Sequence, residues 1–173
     1  PSEYTPAIGS WLGETWKRIA PFDDIFTVVT GLPETGVALT SSDVDKISFT
    51  GSTRTAKKVA ASAAEKMIPV VLECGGKDPV LVDRDADIQK AAEITLWHAM
   101  SNAGQSCIGA ERVYVHRDVA AQFESAIVAM ASQLKTGFGE GAHYGPATMP
   151  SQLKVRSEEH TSELQSRVDI SYA

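Results

Sequence analysis

An α/β fold with a mainly parallel sheet is predicted by two observations. Short β-branched or apolar runs alternate with longer segments whose apolar positions recur at helical spacing. Turns carrying Gly, Ser or Asp stand between run and helix, the arrangement of βαβ units, which pair their strands in parallel.

Taken in order, Ala7 to Ile19 predicts an amphipathic helix with Ile8, Leu12 and Trp16 on one stripe, ended by Pro21. Ile25 to Val29, closed by Thr30-Gly31, predicts a strand. Glu34 to Thr40 fits a short helix and Lys46 to Phe49 a second strand. Thr50-Gly51-Ser52-Thr53 then turns into a helix whose inner face is Ala56, Val59, Ala60, Ala63 and Met67. Strands follow at Pro69 to Leu72 and Pro79 to Val82. A helix from about Asp87 places Ile88, Ala91, Ala92 and Ala99 on one stripe, and Asp85 or Asp87 suits its N-cap. After a cysteine-bearing turn come strand Arg112 to Val115 and a helix from Val119 to Leu134, with Phe123, Ile127 and Met130 on its face. From Gly137 to near Val155 the pattern becomes a loop.

Composition narrows the function classes. A chain of 173 residues with 43% hydrophobic and 22% charged residues is of the globular kind. The net charge of −6 argues against nucleic acid or an anionic membrane as partner. No apolar run is long enough for a membrane span. Two cysteines outside any CxxC pattern suggest neither a zinc site nor a disulfide framework, so no metal is expected and a reducing, cytoplasmic setting is. The chain opens Pro1-Ser2-Glu3 without Met, and the native N-terminus is expected upstream, so targeting is unseen. Residues 156–173 are expected to be non-native, because Arg156 to Ser166 reads as the in-frame translation of a sequencing-library adaptor. A polar disordered tail is the alternative.

Two stretches carry chemistry. Ser101-Asn102-Ala103-Gly104-Gln105-Ser106-Cys107 presents a thiol just past a Gly-containing turn. Val71-Leu72-Glu73-Cys74-Gly75-Gly76-Lys77 presents a carboxylate at the end of an apolar run. A thiol that attacks a carbonyl and a carboxylate that activates water are the parts of a two-step covalent mechanism. Each has a plainer reading, since free cysteines are commonly buried and inert and such carboxylates are sometimes only surface turns. His98 as a base for Cys107 has no visible partner and reads as a core or flank residue. Thr50-Gly51-Ser52 at a helix start suits a phosphate, or is simple turn chemistry. It is no P-loop, for Ala56 stands at the second glycine and Lys58 at the Ser/Thr position, and no GxGxxG is present. Asp83-Arg84-Asp85-Ala86-Asp87 opens like a calcium loop but has Ile88 and Ile94 where Gly and Glu belong.

Together these residues resemble the aldehyde dehydrogenase superfamily. The matches run in order: Pro1-Ser2-Glu3, Phe49-Thr50-Gly51-Ser52-Thr53, Leu72-Glu73 with Gly75-Gly76-Lys77, and Asn102-Ala103-Gly104-Gln105 with Cys107, which lies 34 residues after Glu73. The resemblance covers roughly residues 1–155. It implies an aldehyde dehydrogenase-like α/β fold: residues 1–74 as part of a Rossmann-type NAD(P)-binding domain and 75–155 as the start of an α/β catalytic domain. It also implies oxidation of an aldehyde to a carboxylic acid with NAD(P)+.

By the same resemblance Cys107 is the nucleophile that forms a thiohemiacetal, hydride leaves to the nicotinamide, and the resulting thioester is hydrolysed by water activated at Glu73. Glu3 would contact the adenosine ribose, favouring NAD with NADP possible, and Gly51 and Ser52 would face the pyrophosphate. The family's side-chain oxyanion donor and later cofactor-binding glutamate fall outside this chain. Ala56 and Cys74 depart from the usual Gly and Leu. Cys74 is expected to be a small apolar substitute, with oxidative pairing to Cys107 the minor alternative. Which aldehyde is not readable from these residues, but Asn102 to Cys107 followed by Glu111-Arg112-Val113-Tyr114 resembles members that oxidise semialdehydes, and a homodimer or homotetramer is the implied parent assembly. The alternatives are a coenzyme A-acylating dehydrogenase, which usually lacks the Glu73-type base, and a non-catalytic dinucleotide-binding or structural relative.

The resemblance also predicts that the 173-residue chain is inactive by itself. The purified chain, given NAD+ and a panel of aldehydes, should form no NADH, and steady NADH formation would contradict that expectation.

Overall fold

The computed structural model describes residues 1–20, 22 and 25–153. The chain divides into two compact units, Pro1–Cys74 and Gly75–Ala173.

In the first unit, helix α1 spans Pro6–Ile19, with Pro in its first turn, where the missing N–H costs nothing. Pro21, the expected stop, lies outside the described residues. The helix is amphipathic as expected, but its stripe is only partly covered. Ile8 and Leu12 are exposed, while Trp16 stacks at a tilt on Phe26, with ring centroids 5.6 Å apart.

The expected strand over Ile25 to Val29 does not form. Those residues alternate, with Phe26 and Val28 turned partly inward, but among the described residues no neighbouring strand supplies ladder hydrogen bonds to them. β-branched composition alone cannot make a strand without a partner edge.

Helix α2 (Pro33–Thr40) leads to strand β1 (Ile47–Gly51), helix α3 (Thr53–Glu65) and strand β2 (Val70–Cys74). β1 and β2 pair in parallel, making the expected βαβ unit. α3 lays Ala56, Val59 and Ala63 on a core completed by Ile47, Phe49, Val70 and Leu72. Met67, expected on that face, is instead 87% exposed. The helix ends at Glu65, and Met67 takes a left-handed backbone conformation (φ 54°) that swings it off the face.

In the second unit, β3 (Asp78–Val82), α4 (Ile88–Met100) and β4 (Ala110–Val115) repeat the pattern, and β3 pairs with β4 in parallel. The register slips by one residue: Asp78 faces Ala110 and Pro79 faces Arg112, leaving Glu111 as a bulge. Pro79 has no N–H to give the ladder, which accounts for the break at that point.

Asp87 is the N-cap of α4, its carboxylate accepting from the Lys90 N–H at 3.1 Å. Helix α5 runs Ala120–Ala131, so Val119 belongs to the short turn before it and Leu134 lies past its end, which shortens the expected span on both sides. Phe123 and Ala126 from α5 meet Val82 and Ala92 in this unit's core, with Val80, Ile88, Val115 and Ile127 around them.

Phe123 is 5% exposed in that core. Its truncation to Ala should cost about 3–5 kcal/mol, against ~1 kcal/mol for Asp87→Ala. Urea unfolding would read both, and equal midpoint shifts would show that Phe123 does not anchor the second unit.

Candidate active site

The register of β1 and β2 gathers three of the expected site residues. Thr50 pairs with Glu73 and Gly51 with Cys74, so Gly51, Ser52 and Glu73 share the carboxyl edge of one parallel pair. That edge is where open α/β sheets place their ligands. Side chains alternate along β2: Leu72 packs with α3, whereas Glu73 is exposed on the other face beside Thr50. Cys74 shares the parity of Leu72 and is half-buried, as befits a small apolar substitute.

At the start of α3, the Ser52 hydroxyl accepts from the Thr55 N–H at 3.2 Å and lies 3.0 Å from the Thr55 hydroxyl. The first helical bond runs from the Ala56 N–H to the Ser52 carbonyl at 2.9 Å. The amides of Thr53 and Arg54 therefore have no intrahelical acceptor and face the positive end of the helix dipole. At Gly51 a Cβ would stand 2.6 Å from Cζ of Phe49, so the glycine both bares its backbone and leaves room for that ring. A parallel strand, a bare glycine and a helix start with free amides suit a dinucleotide pyrophosphate. The side chain of Ser52, however, is engaged as a cap. Ala56 is 3% exposed and belongs to the core rather than to this turn.

Glu3 lies in an exposed turn just before α1, where its carboxylate accepts from the Ser2 hydroxyl at 3.3 Å.

Cys107 belongs to the second unit and is an exposed, free thiol on the turn between α4 and β4. The approach to it is strained. Asn102, Ala103 and Gly104 lie in succession in the left-handed region, with φ of 53°, 58° and 67°. For residues with a Cβ that conformation costs roughly 1–2 kcal/mol each. Asn tolerates it through local hydrogen bonds, and here its side-chain amide donates to the Gln105 carbonyl at 3.1 Å. Gln105 answers through its own side-chain amide, which donates to the Asn102 carbonyl at 2.9 Å.

After the thiol, buried Gly109 passes close to α4: a Cβ there would meet the Ser106 carbonyl oxygen at 3.3 Å and that of His98 at 3.5 Å. Gly76 runs alongside, its missing Cβ 3.8 Å from the Cys107 carbonyl oxygen. Lys77 forms an ion pair with Glu111, the bulge residue of β4. The glycine turn and the cysteine turn are thus joined within this unit. His98 contributes a backbone carbonyl near Gly109 and an edge contact to Trp97, not a visible link to the thiol.

Comparison with known proteins bears on the family of the chain. The aldehyde dehydrogenase family model matches residues 1–167. The chain belongs to the aldehyde dehydrogenase family. A chloroplastic betaine aldehyde dehydrogenase of Amaranthus hypochondriacus is 38% identical over 89% of this chain and 32% of its own length. A D-glyceraldehyde dehydrogenase (NADP(+)) of Thermoplasma acidophilum is 35% identical over 91% of the chain and 32% of that protein. Among solved structures, an NAD-dependent aldehyde dehydrogenase from Sinorhizobium meliloti superimposes with a TM-score of 0.90 at 29% identity, covering 96% of this chain and 34% of that one. The chain therefore spans about a third of the length of the curated aldehyde dehydrogenases it matches, and its fold is that of the corresponding part of the family. Among the described residues no helix is long and apolar enough to cross a membrane.

Residue types and spacing single out Cys107 and Glu73 as candidates, but they show neither the left-handed turn nor the side-chain contacts of Gln105. Asn before Ala-Gly was the available signal for the first of these; of the partners of Gln105, Asn102 is local, whereas Pro146 and Thr148 lie too far along the chain to be read from spacing.

The two glycines flanking this region make a contrast. Gly75 has open space where a Cβ would go, whereas Gly109 faces two carbonyl oxygens. Gly109→Ala should change the rate at which iodoacetamide alkylates Cys107, and Gly75→Ala should leave it as in the parent. Equal rates in all three proteins would mean that the packing of Gly109 does not set the cysteine turn.

Proposed function

We propose that the gene product carrying this sequence oxidises an aldehyde to a carboxylic acid with NAD(P)+, through a covalent intermediate on Cys107. The observation that carries this reading is the exposed thiol on a strained turn, in a chain whose Glu73, Gly51 and Ser52 share one strand edge. The Cys107 sulfur, as thiolate, adds to the aldehyde carbon and gives a thiohemiacetal. Backbone N–H groups of the cysteine turn are suited to hold the oxyanion that forms. NAD(P)+, when bound, would supply the hydride acceptor, and loss of hydride from the carbon held on Cys107 leaves a thioester there. Glu73 then takes a proton from water, which attacks the thioester carbonyl and frees both the acid and the thiol. Gly51 and the first-turn amides of α3 hold the pyrophosphate, and Glu3 the adenosine ribose, for which NAD is the natural partner and NADP the alternative.

The relatives act on betaine aldehyde and D-glyceraldehyde by name. A small polar aldehyde is accordingly the substrate class proposed, a semialdehyde among them. Residues 1–74 belong on this reading to the cofactor domain and 75–155 to the catalytic domain, with 156–173 a non-native tail. The whole protein is proposed to act as a homodimer or homotetramer in the cytoplasm, where a free catalytic thiol stays reduced. Glu73 weighs against transfer of the acyl group to coenzyme A, and the presence of both an exposed thiol and an exposed carboxylate in the chain weighs against a purely structural relative.

Cys107→Ser should abolish NADH formation by the gene product. Glu73→Gln should leave a single burst of NADH followed by slow release of acid. Steady turnover at the parent rate in Glu73→Gln would remove Glu73 from the mechanism.

A further inference from the structure

Gln105 is the most heavily engaged polar side chain near the thiol, and nothing in the chemistry above uses it. Its Nε2 donates to the Asn102 carbonyl at 2.9 Å and to the Pro146 carbonyl at 3.4 Å. Its Oε1 accepts from the Thr148 N–H at 2.7 Å, across 43 residues of chain. The orientation of the amide is settled by its partners, because the nitrogen faces two carbonyls and the oxygen faces a donor. On the backbone side, the Gln105 N–H also donates to the Asn102 carbonyl at 3.1 Å, and the Gln105 carbonyl accepts from the Asn102 side chain at 3.1 Å. One residue, two places before the nucleophile, therefore closes the left-handed turn on itself and ties it to the loop at 146–148.

We infer that Gln105 is a positioning residue: it holds the turn that presents Cys107 and makes the loop at Pro146–Thr148 part of the support for that thiol. The inference rests on the proposed nucleophile. It differs from a general packing role because the two ends of the amide have separate jobs. The Nε2 end holds the turn at Asn102, while the Oε1 end holds the loop at Thr148. Replacement by Met keeps the length and removes both ends. Replacement by Glu keeps an oxygen for the Thr148 N–H and sets a carboxylate oxygen against two carbonyl oxygens, which repels where the amide donated.

The test measures kcat, KM, the rate of Cys107 alkylation by iodoacetamide and the amide hydrogen exchange of Thr148 in the gene product and in both variants, with circular dichroism to check folding. Gln105→Met should lower kcat on the order of 100-fold with KM little changed, since misplacement of a reacting group by about an ångström has that effect. It should also speed Thr148 exchange. Gln105→Glu should lower kcat similarly while Thr148 stays protected. Parent-like kcat in either folded variant would overturn the inference, as would a fall in kcat no larger than the fraction of protein unfolded. Should the parent protein oxidise no aldehyde, the proposed function fails by itself. The alkylation rate then decides in place of kcat, an unchanged rate in both variants overturning the inference and a changed one supporting it.

Discussion

Three successive residues held in the left-handed region set the position of Cys107, and the second unit is arranged to keep them there. Such a turn in L-residues does not persist by itself. Asn102 and Gln105 close it with reciprocal amide bonds, Gly109 packs it against the end of α4, and Gly76 with the Lys77–Glu111 pair borders it from the β3 side. The bulge at Glu111 belongs to the same arrangement, because the one-residue slip lets β4 begin directly after the cysteine turn while still pairing with β3. A thiol carried on a turn supported from three sides has its direction defined without being buried, which suits the nucleophilic role proposed for it.

The first unit solves a different problem with the same βαβ topology. Parallel pairing of β1 and β2 brings Gly51 level with Cys74 and Thr50 level with Glu73, so a helix start suited to phosphate and a carboxylate suited to proton transfer come to one edge. Alternation along β2 then divides the work: Leu72 faces the helix and contributes to the core, and Glu73 faces away from it. A slip of one residue in that register would exchange those faces and bury the carboxylate.

Much of this was legible in the sequence where the controlling forces are local. The α3 stripe of Ala56, Val59 and Ala63, the Asp87 cap and the strands around Glu73 follow from periodicity and capping chemistry, and the structure has them. Ile25 to Val29 failed because strand formation depends on a neighbour that composition cannot reveal. Met67 failed because the backbone reversal at the end of α3 outweighs a periodic match. At the site, residue types on tight turns pointed to the thiol and carboxylate. The left-handed run, the bulge at Glu111 and the reach of Gln105 to Thr148 are products of tertiary contact and left little trace in spacing.

The proposed chemistry rests on one atom of the second unit, the sulfur of Cys107, which is an exposed free thiol. The most direct test is to quench the gene product during reaction with an aldehyde and NAD+, digest it at low pH and locate the acyl group by peptide mass spectrometry. An acyl adduct is expected on the peptide containing Cys107 and none on that containing Cys74. Acid formed with the adduct on another residue, or with Cys107 remaining freely alkylatable throughout turnover, would contradict the proposed chemistry.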